Sequence, residues 1–122
     1  MAKILLAEDD KAMLNFLVKA LENANHIVIP KNNGIDALSA INDPNNKFDL
    51  LLTDIVLPAI DGIELAQKAA KSNPDIKIMF ITGFAAMATK QKEGGMSKNS
   101  KLMSKPFHLN ELIEQVETLL SE

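Results

Sequence analysis

The sequence predicts one α/β domain on a five-stranded parallel sheet, strand order 2-1-3-4-5, with helices on both faces. Three observations carry this. Apolar runs and helical patterns alternate five times along 122 residues, as in a repeated βα unit with right-handed crossovers. The first, third and fourth runs are almost wholly apolar, as strands covered on both faces should be. The second and fifth are shorter and more polar, which suits the edges of the sheet.

Residues 3–7 form the first apolar run. Residues 10–23 follow as a helix, with Met13, Leu17, Ala20, Leu21 and Ala24 at helical spacing. Residues 26–30 read as a second strand, ended by Pro30. Residues 33–41 read as a helix with Ile35, Leu38 and Ile41 as its inner stripe. The Asp43-Pro44-Asn45-Asn46 cluster is a turn. Residues 48–53 are the third strand and 62–71 the third helix, closed by Ser72-Asn73-Pro74-Asp75. Residues 76–81 are the fourth strand and 102–104 a brief fifth. Residues 109–120 form an amphipathic helix, with Leu112, Ile113, Val116, Leu119 and Leu120 on one face. Between them, residues 84–100 start like a helix but have little to bury and contain Gly94-Gly95. A short, mobile helix, or one ordered by a partner, is expected there. This flavodoxin-like order places the ends of the first and third strands at the topological switch point, where open α/β sheets bind their ligands.

Composition narrows the function. Hydrophobic residues are 47% and charged residues 24%, ordinary for a globular protein. A net charge of −3 argues against a nucleic-acid-binding surface. There is no Cys, so disulfides and thiolate chemistry are excluded, and a cytoplasmic location fits. No apolar stretch approaches the ~20 residues of a membrane helix, and no secretion signal is visible. Every basic residue is Lys, so no guanidinium clamp for phosphate exists.

The third run delivers a lone carboxylate, Asp54, to its carboxyl end, and a buried charge is costly unless paired. Glu8 and Asp9 follow the first run, Thr82 the fourth and Lys105 the fifth. Alone, each has a plain structural reading. The acids Glu8-Asp9-Asp10 would suit a helix start. Asp54 would cap a turn before Pro58, Thr82 would end a strand and Lys105 would be a surface lysine. Together they converge on one sheet edge. A carboxylate there can take a phosphoryl group as an aspartyl phosphate. Both partners are negative, so cations and positioning must do most of the catalysis. Mg²⁺ suits Glu8, Asp9 and Asp54. Lys105 would add positive charge on the phosphoryl oxygens, and the Thr82 hydroxyl could donate a hydrogen bond to one of them.

These residues resemble those of the response-regulator receiver domains. The likeness rests on Glu8-Asp9 after Ile4-Leu5-Leu6-Ala7, Asp54 before Ile55-Val56-Leu57-Pro58, Asp61-Gly62, Thr82-Gly83 and Lys105-Pro106-Phe107. It covers nearly the whole chain, read as a single receiver domain over residues 1–122 with no output domain. It implies a CheY-like (βα)₅ fold and Mg²⁺ as cofactor. It also implies transfer of phosphoryl to Asp54 from a histidine kinase or histidine phosphotransfer protein. The protein would be a phosphoacceptor signalling protein rather than an enzyme in the usual sense. The resemblance further places the Val56 backbone carbonyl in the metal shell and a cis bond between Lys105 and Pro106. Ser104-Lys105-Pro106-Phe107-His108-Leu109 and Met79-Phe80-Ile81-Thr82-Gly83-Phe84 are similar to the CpdR subfamily. That likeness implies a phosphorylation-controlled adaptor for the ClpXP protease, bound through the ClpX N-terminal domain. An alternative is a phosphorelay intermediate between histidine proteins. A flavodoxin-like cofactor protein would need a Gly-rich phosphate loop and stacking aromatics, which are missing.

The chain departs from the family at Leu102, three residues before Lys105, where many receivers carry an aromatic switch residue; it contains no Tyr or Trp. Some other element must then read Thr82, with residues 84–100 as the candidate. His26 and His108 read as structural or exposed rather than catalytic. Met13 reads as core, and Met87, Met96 and Met103 as a pliable partner surface.

Overall fold

The fold is described from a computed structural model that covers residues 1–83 and 99–122. The expected helix and partner-reading segment at 84–98, with Phe84, Met87 and Met96, lies outside them. The described elements are β1 (Lys3–Ala7), α1 (Lys11–Asn23), β2 (Ile27–Lys31), α2 (Gly34–Asn42), β3 (Leu50–Asp54), α3 (Gly62–Ser72), β4 (Lys77–Thr82), β5 (Ser100–Ser104) and α4 (Leu109–Ser121). All strand pairs are parallel, in the order β2-β1-β3-β4-β5. This is the predicted topology.

Alternation along the three central strands makes two core layers. Leu5, Leu51, Ile78 and Phe80 face the layer that holds Ala37, Leu65 and Ala69 of α2 and α3. Ile4, Leu6, Leu50, Leu52, Met79 and Ile81 face Leu17 and Leu21 of α1 and Leu112, Val116 and Leu119 of α4. Burial on both faces is why these strands read as unbroken apolar runs. β2 and β5 are the edges, and Pro30 sits on an edge strand, where a missing ladder donor is tolerated.

Asx residues start three of the helices. Asp10 accepts from the N–H groups of Ala12 and Met13, Asn33 from Asp36 and Asp61 from Glu64. Such caps contribute about 1 kcal/mol each.

Three expectations need correction. The buried face of α2 is Gly34, Ala37, Ala40 and Ile41; Leu38 is partly buried and Ile35 is 58% exposed. The helix begins against the backbone of Ile60, which turns a face of small residues inward and leaves Ile35 outside. Met103 is buried in the α1/α4 layer rather than on a partner surface. In a five-residue edge strand, Leu102 packs toward one layer and Met103 toward the other. The third strand runs from Leu50 to Asp54, so Asp54 is the last ladder residue, paired with Ile81, not the residue after it.

His26 is structural, as expected. Its Nδ1 accepts the Ala2 N–H at 3.1 Å and its Nε2 lies 2.5 Å from Glu117 Oε2. An accepting Nδ1 puts the ring proton on Nε2, which donates to the carboxylate.

Candidate functional site

The site is built at the carboxyl edge of β1, β3, β4 and β5. β1 ends at Ala7, and Glu8 continues its line, with its N–H donating to the Lys31 carbonyl of β2 at 3.1 Å. That bond points the Glu8 side chain into the sheet edge, where it is fully buried. Asp9 is exposed beside it. Asp54 closes β3 and is 7% exposed. Carboxylate oxygens of Glu8, Asp9 and Asp54 all lie within 4.8 Å of one another. Asp10, the third acid of the run, caps α1 instead and donates its own N–H to Glu8 Oε2 at 3.0 Å. The helix-start reading was thus right for Asp10 alone.

Lys105 supplies the countercharge. Its Nζ lies 2.9 Å from Asp54 Oδ2 and 3.1 Å from Glu8 Oε1. Its backbone N–H donates to the Thr82 carbonyl at 2.7 Å, which ties the end of β5 to the end of β4. The Lys105–Pro106 bond is cis. Thr82 is fully buried at the end of β4. The Val56 N–H donates to Asp54 Oδ1 at 3.2 Å, so both oxygens of that carboxylate are held. Leu102 packs half-buried against the α2/α3 layer, in register with Phe80. All five predicted side chains therefore reach one edge. Sequence reasoning missed the Val56 N–H, the Asp10 N–H and Gly34, whereas Gly62 was singled out in the Asp61-Gly62 pair. One signal for Gly34 was readable: Asn33-Gly34 and Asp61-Gly62 both place an Asx residue before Gly at the starts of α2 and α3.

The electrostatics follow from burial. Desolvation pushes the Glu8 carboxyl above the usual carboxylate range, and the Asp54 charge adds to this against the pull of the Asp10 N–H and Lys105. For Lys105, burial pulls the ammonium down, but the bonds to Asp54 and Glu8 outweigh it and the net shift is upward. The sign for stability is clear in both cases. Unfolded Glu titrates near 4.5. The stability linked to Glu8 is present below that value and is lost as pH rises through the higher folded value. The contribution of Lys105 is present below 10.5 and is lost only as pH rises through its raised folded value. Accordingly, Glu8→Gln should resist urea better than the wild type at neutral pH and lose the wild type's decline in stability above pH ~4.5. Urea titrations across that range check this; a variant less stable than wild type at neutral pH would contradict it.

The donor set fits a hard divalent cation: carboxylates on one rim, one of them exposed. Among the described helices, none is long and apolar enough to cross a membrane.

Known proteins share this architecture. Residues 4–117 match the response regulator receiver domain. The chain is 50% identical over 120 residues to the response regulator receiver protein CpdR of Brucella abortus (strain 2308), covering 98% of each. It is 31% identical over 121 residues to the sensor kinase CckA of the same strain, covering 99% of this chain and 13% of that one. A solved response regulator receiver protein from Sinorhizobium medicae WSM419 superposes with a TM-score of 0.89 at 29% identity, over 98% of this chain and 94% of that one.

Proposed function

The chain belongs to the response regulator receiver family, and from that premise we propose that Asp54 is its phosphoacceptor. The observation that carries this is the convergence of Glu8, Asp9 and Asp54 on one rim with Lys105 bonded to Asp54. A histidine kinase or histidine phosphotransfer protein donates the phosphoryl group. Glu8, Asp9 and Asp54, with the Val56 carbonyl, would hold Mg²⁺, which would supply positive charge to the incoming phosphoryl oxygens. Lys105 adds positive charge to the same oxygens, and the Thr82 hydroxyl donates to one of them. The protein works in the cytoplasm.

The 50% identity to CpdR supports a protease-adaptor role. In this reading, the unphosphorylated form binds the ClpX N-terminal domain and phosphorylation at Asp54 ends that binding. The test is a pair of pull-downs from lysate, with wild type and Asp54→Ala. A ClpX-containing complex kept by Asp54→Ala and lost from wild type on acetyl-phosphate treatment supports the adaptor. Fast, productive transfer of phosphoryl on to a second histidine protein, with no protease retained, supports the phosphorelay reading instead. The likeness to the CckA chain makes that the relevant rival.

Self-dephosphorylation should be slow. Val56, two residues after Asp54, and Phe84, two after Thr82, have no side-chain group that orients an attacking water by hydrogen bonding. Val56→Asn should shorten the lifetime of the phosphorylated form. Decay of phosphate-labelled protein measures it, and an unchanged or longer lifetime would count against the argument.

A further inference from the structure

The loop after Asp54 is confined at several points by main-chain contacts. Gly62, the first residue of α3, donates its N–H to the Ile55 carbonyl at 2.8 Å. A Cβ on Gly62 would lie 2.1 Å from the carbonyl oxygen of Asp54 itself. Gly34, the first residue of α2, donates its N–H to the Pro58 carbonyl at 3.3 Å. A Cβ there would lie 2.1 Å from the Ile60 carbonyl oxygen and 2.7 Å from the Ile60 Cβ. Around Gly83, by contrast, a Cβ would meet nothing within 4 Å. None of the described glycines has positive φ, so Gly34 and Gly62 are required by close approach and not by backbone conformation.

Between these contacts the loop turns tightly. The Ile60 N–H donates to the Pro58 carbonyl at 2.9 Å, and Ala59 has φ 71°. At its start the loop presents the Val56 N–H that holds Asp54 Oδ1. α2 contributes no residue to the acidic cluster, yet it packs on the far end of the loop whose Val56 N–H holds Asp54.

We propose that Gly34 is a positioning residue for Asp54: its missing side chain lets α2 pack against Pro58 and Ile60, and that packing holds the Val56 N–H where it orients the Asp54 carboxylate. This rests on the reading of Asp54 as phosphoacceptor. A methyl group at position 34 must push Ile60 away, because the nearest atom it meets is the Ile60 carbonyl oxygen. The displacement passes along a short, hydrogen-bonded loop to Val56. The coupling is reciprocal, so a group bound at Asp54 also changes the hold of α2 on the loop.

The test compares Gly34→Ala with Leu17→Ala. Leu17 is fully buried in the α1/α4 layer, on the other side of the sheet. It therefore serves as a control for lost stability alone. Acetyl-phosphate labelling of Gly34→Ala should slow on the order of a hundredfold, with a shifted Val56 amide resonance. Folded Leu17→Ala should label at the wild-type rate with that resonance in place. Wild-type labelling kinetics in Gly34→Ala, or equal slowing in both variants, would overturn the proposal. If Gly34→Ala does not fold, amide exchange in the wild type decides. Mg²⁺ with beryllofluoride should slow exchange at the Gly34 N–H by at least about fivefold, and unchanged exchange there would overturn it. A wild type that never labels would instead defeat the phosphoacceptor reading, and this inference with it.

Discussion

Asp54→Ala is expected to take up no phosphoryl group from acetyl phosphate or from a histidine protein, while folding as well as the wild type. The first half follows from chemistry, since an alanine offers no oxygen to form the acyl phosphate. The second follows from the charges. Wild type packs two buried carboxylates, Glu8 and Asp54, around one ammonium. Removing Asp54 leaves Glu8 and Lys105 as a matched pair and relieves the Asp54 charge that helps raise the Glu8 carboxyl. Intact-mass spectrometry after acetyl-phosphate treatment gives the labelling, and urea unfolding gives the stability. Residual labelling at another residue would show that Asp54 is not the acceptor.

Lys105→Ala should have the second largest effect, and the effect should depend on pH and on cations. Breaking a buried ion pair leaves uncompensated charge and typically costs 3–5 kcal/mol. Lys105 is a quarter exposed, with side-chain exposure 25%, so a loss near the low end, about 3 kcal/mol, is expected at neutral pH. The loss should shrink on acidification, because Glu8, already raised by burial, takes a proton readily and removes one of the two opposed charges. Mg²⁺ should recover more stability in Lys105→Ala than in the wild type, because Lys105 no longer offsets the charges of Glu8 and Asp54. Phosphorylation should fall on the order of a hundredfold through loss of one preorganised charge. Urea unfolding at acid and neutral pH, with and without Mg²⁺, measures the first three effects. A loss independent of pH, or an equal gain from Mg²⁺ in both proteins, would show that Lys105 is not the countercharge.

Much of this was legible in the sequence because period and position carry it. Strands buried on both sides can only be apolar runs, so β1, β3 and β4 were plain. A carboxylate at the end of such a run stands out, so Asp54 did too, and Glu8, Asp9, Thr82 and Lys105 followed from the parallel topology. What the sequence hid was set by backbone contacts between segments far apart. The burial of α2 depends on the approach of Gly34 to Ile60, which no helical period can encode, so Ile35 was placed on the wrong face. Asp10 differs from Glu8 and Asp9 only in where the chain turns into α1. Met103 looked available because an edge strand was expected to spend little on the core, yet every apolar residue of so short a strand is used.

The contact between His26 and Glu117 spans 91 positions, and the layer beneath it has a consequence for how the protein is made. Ile4, Leu6, Leu50 and Leu52 share their core layer with Leu112, Val116 and Leu119 of α4. A ribosome delivers α4 after every other described element. Until residues 109–121 emerge, α1 alone among the described helices covers that face, and the part of it that α4 will cover stays open to water and to other nascent chains. The interval before α4 emerges is therefore one in which this sheet is exposed to association with other chains.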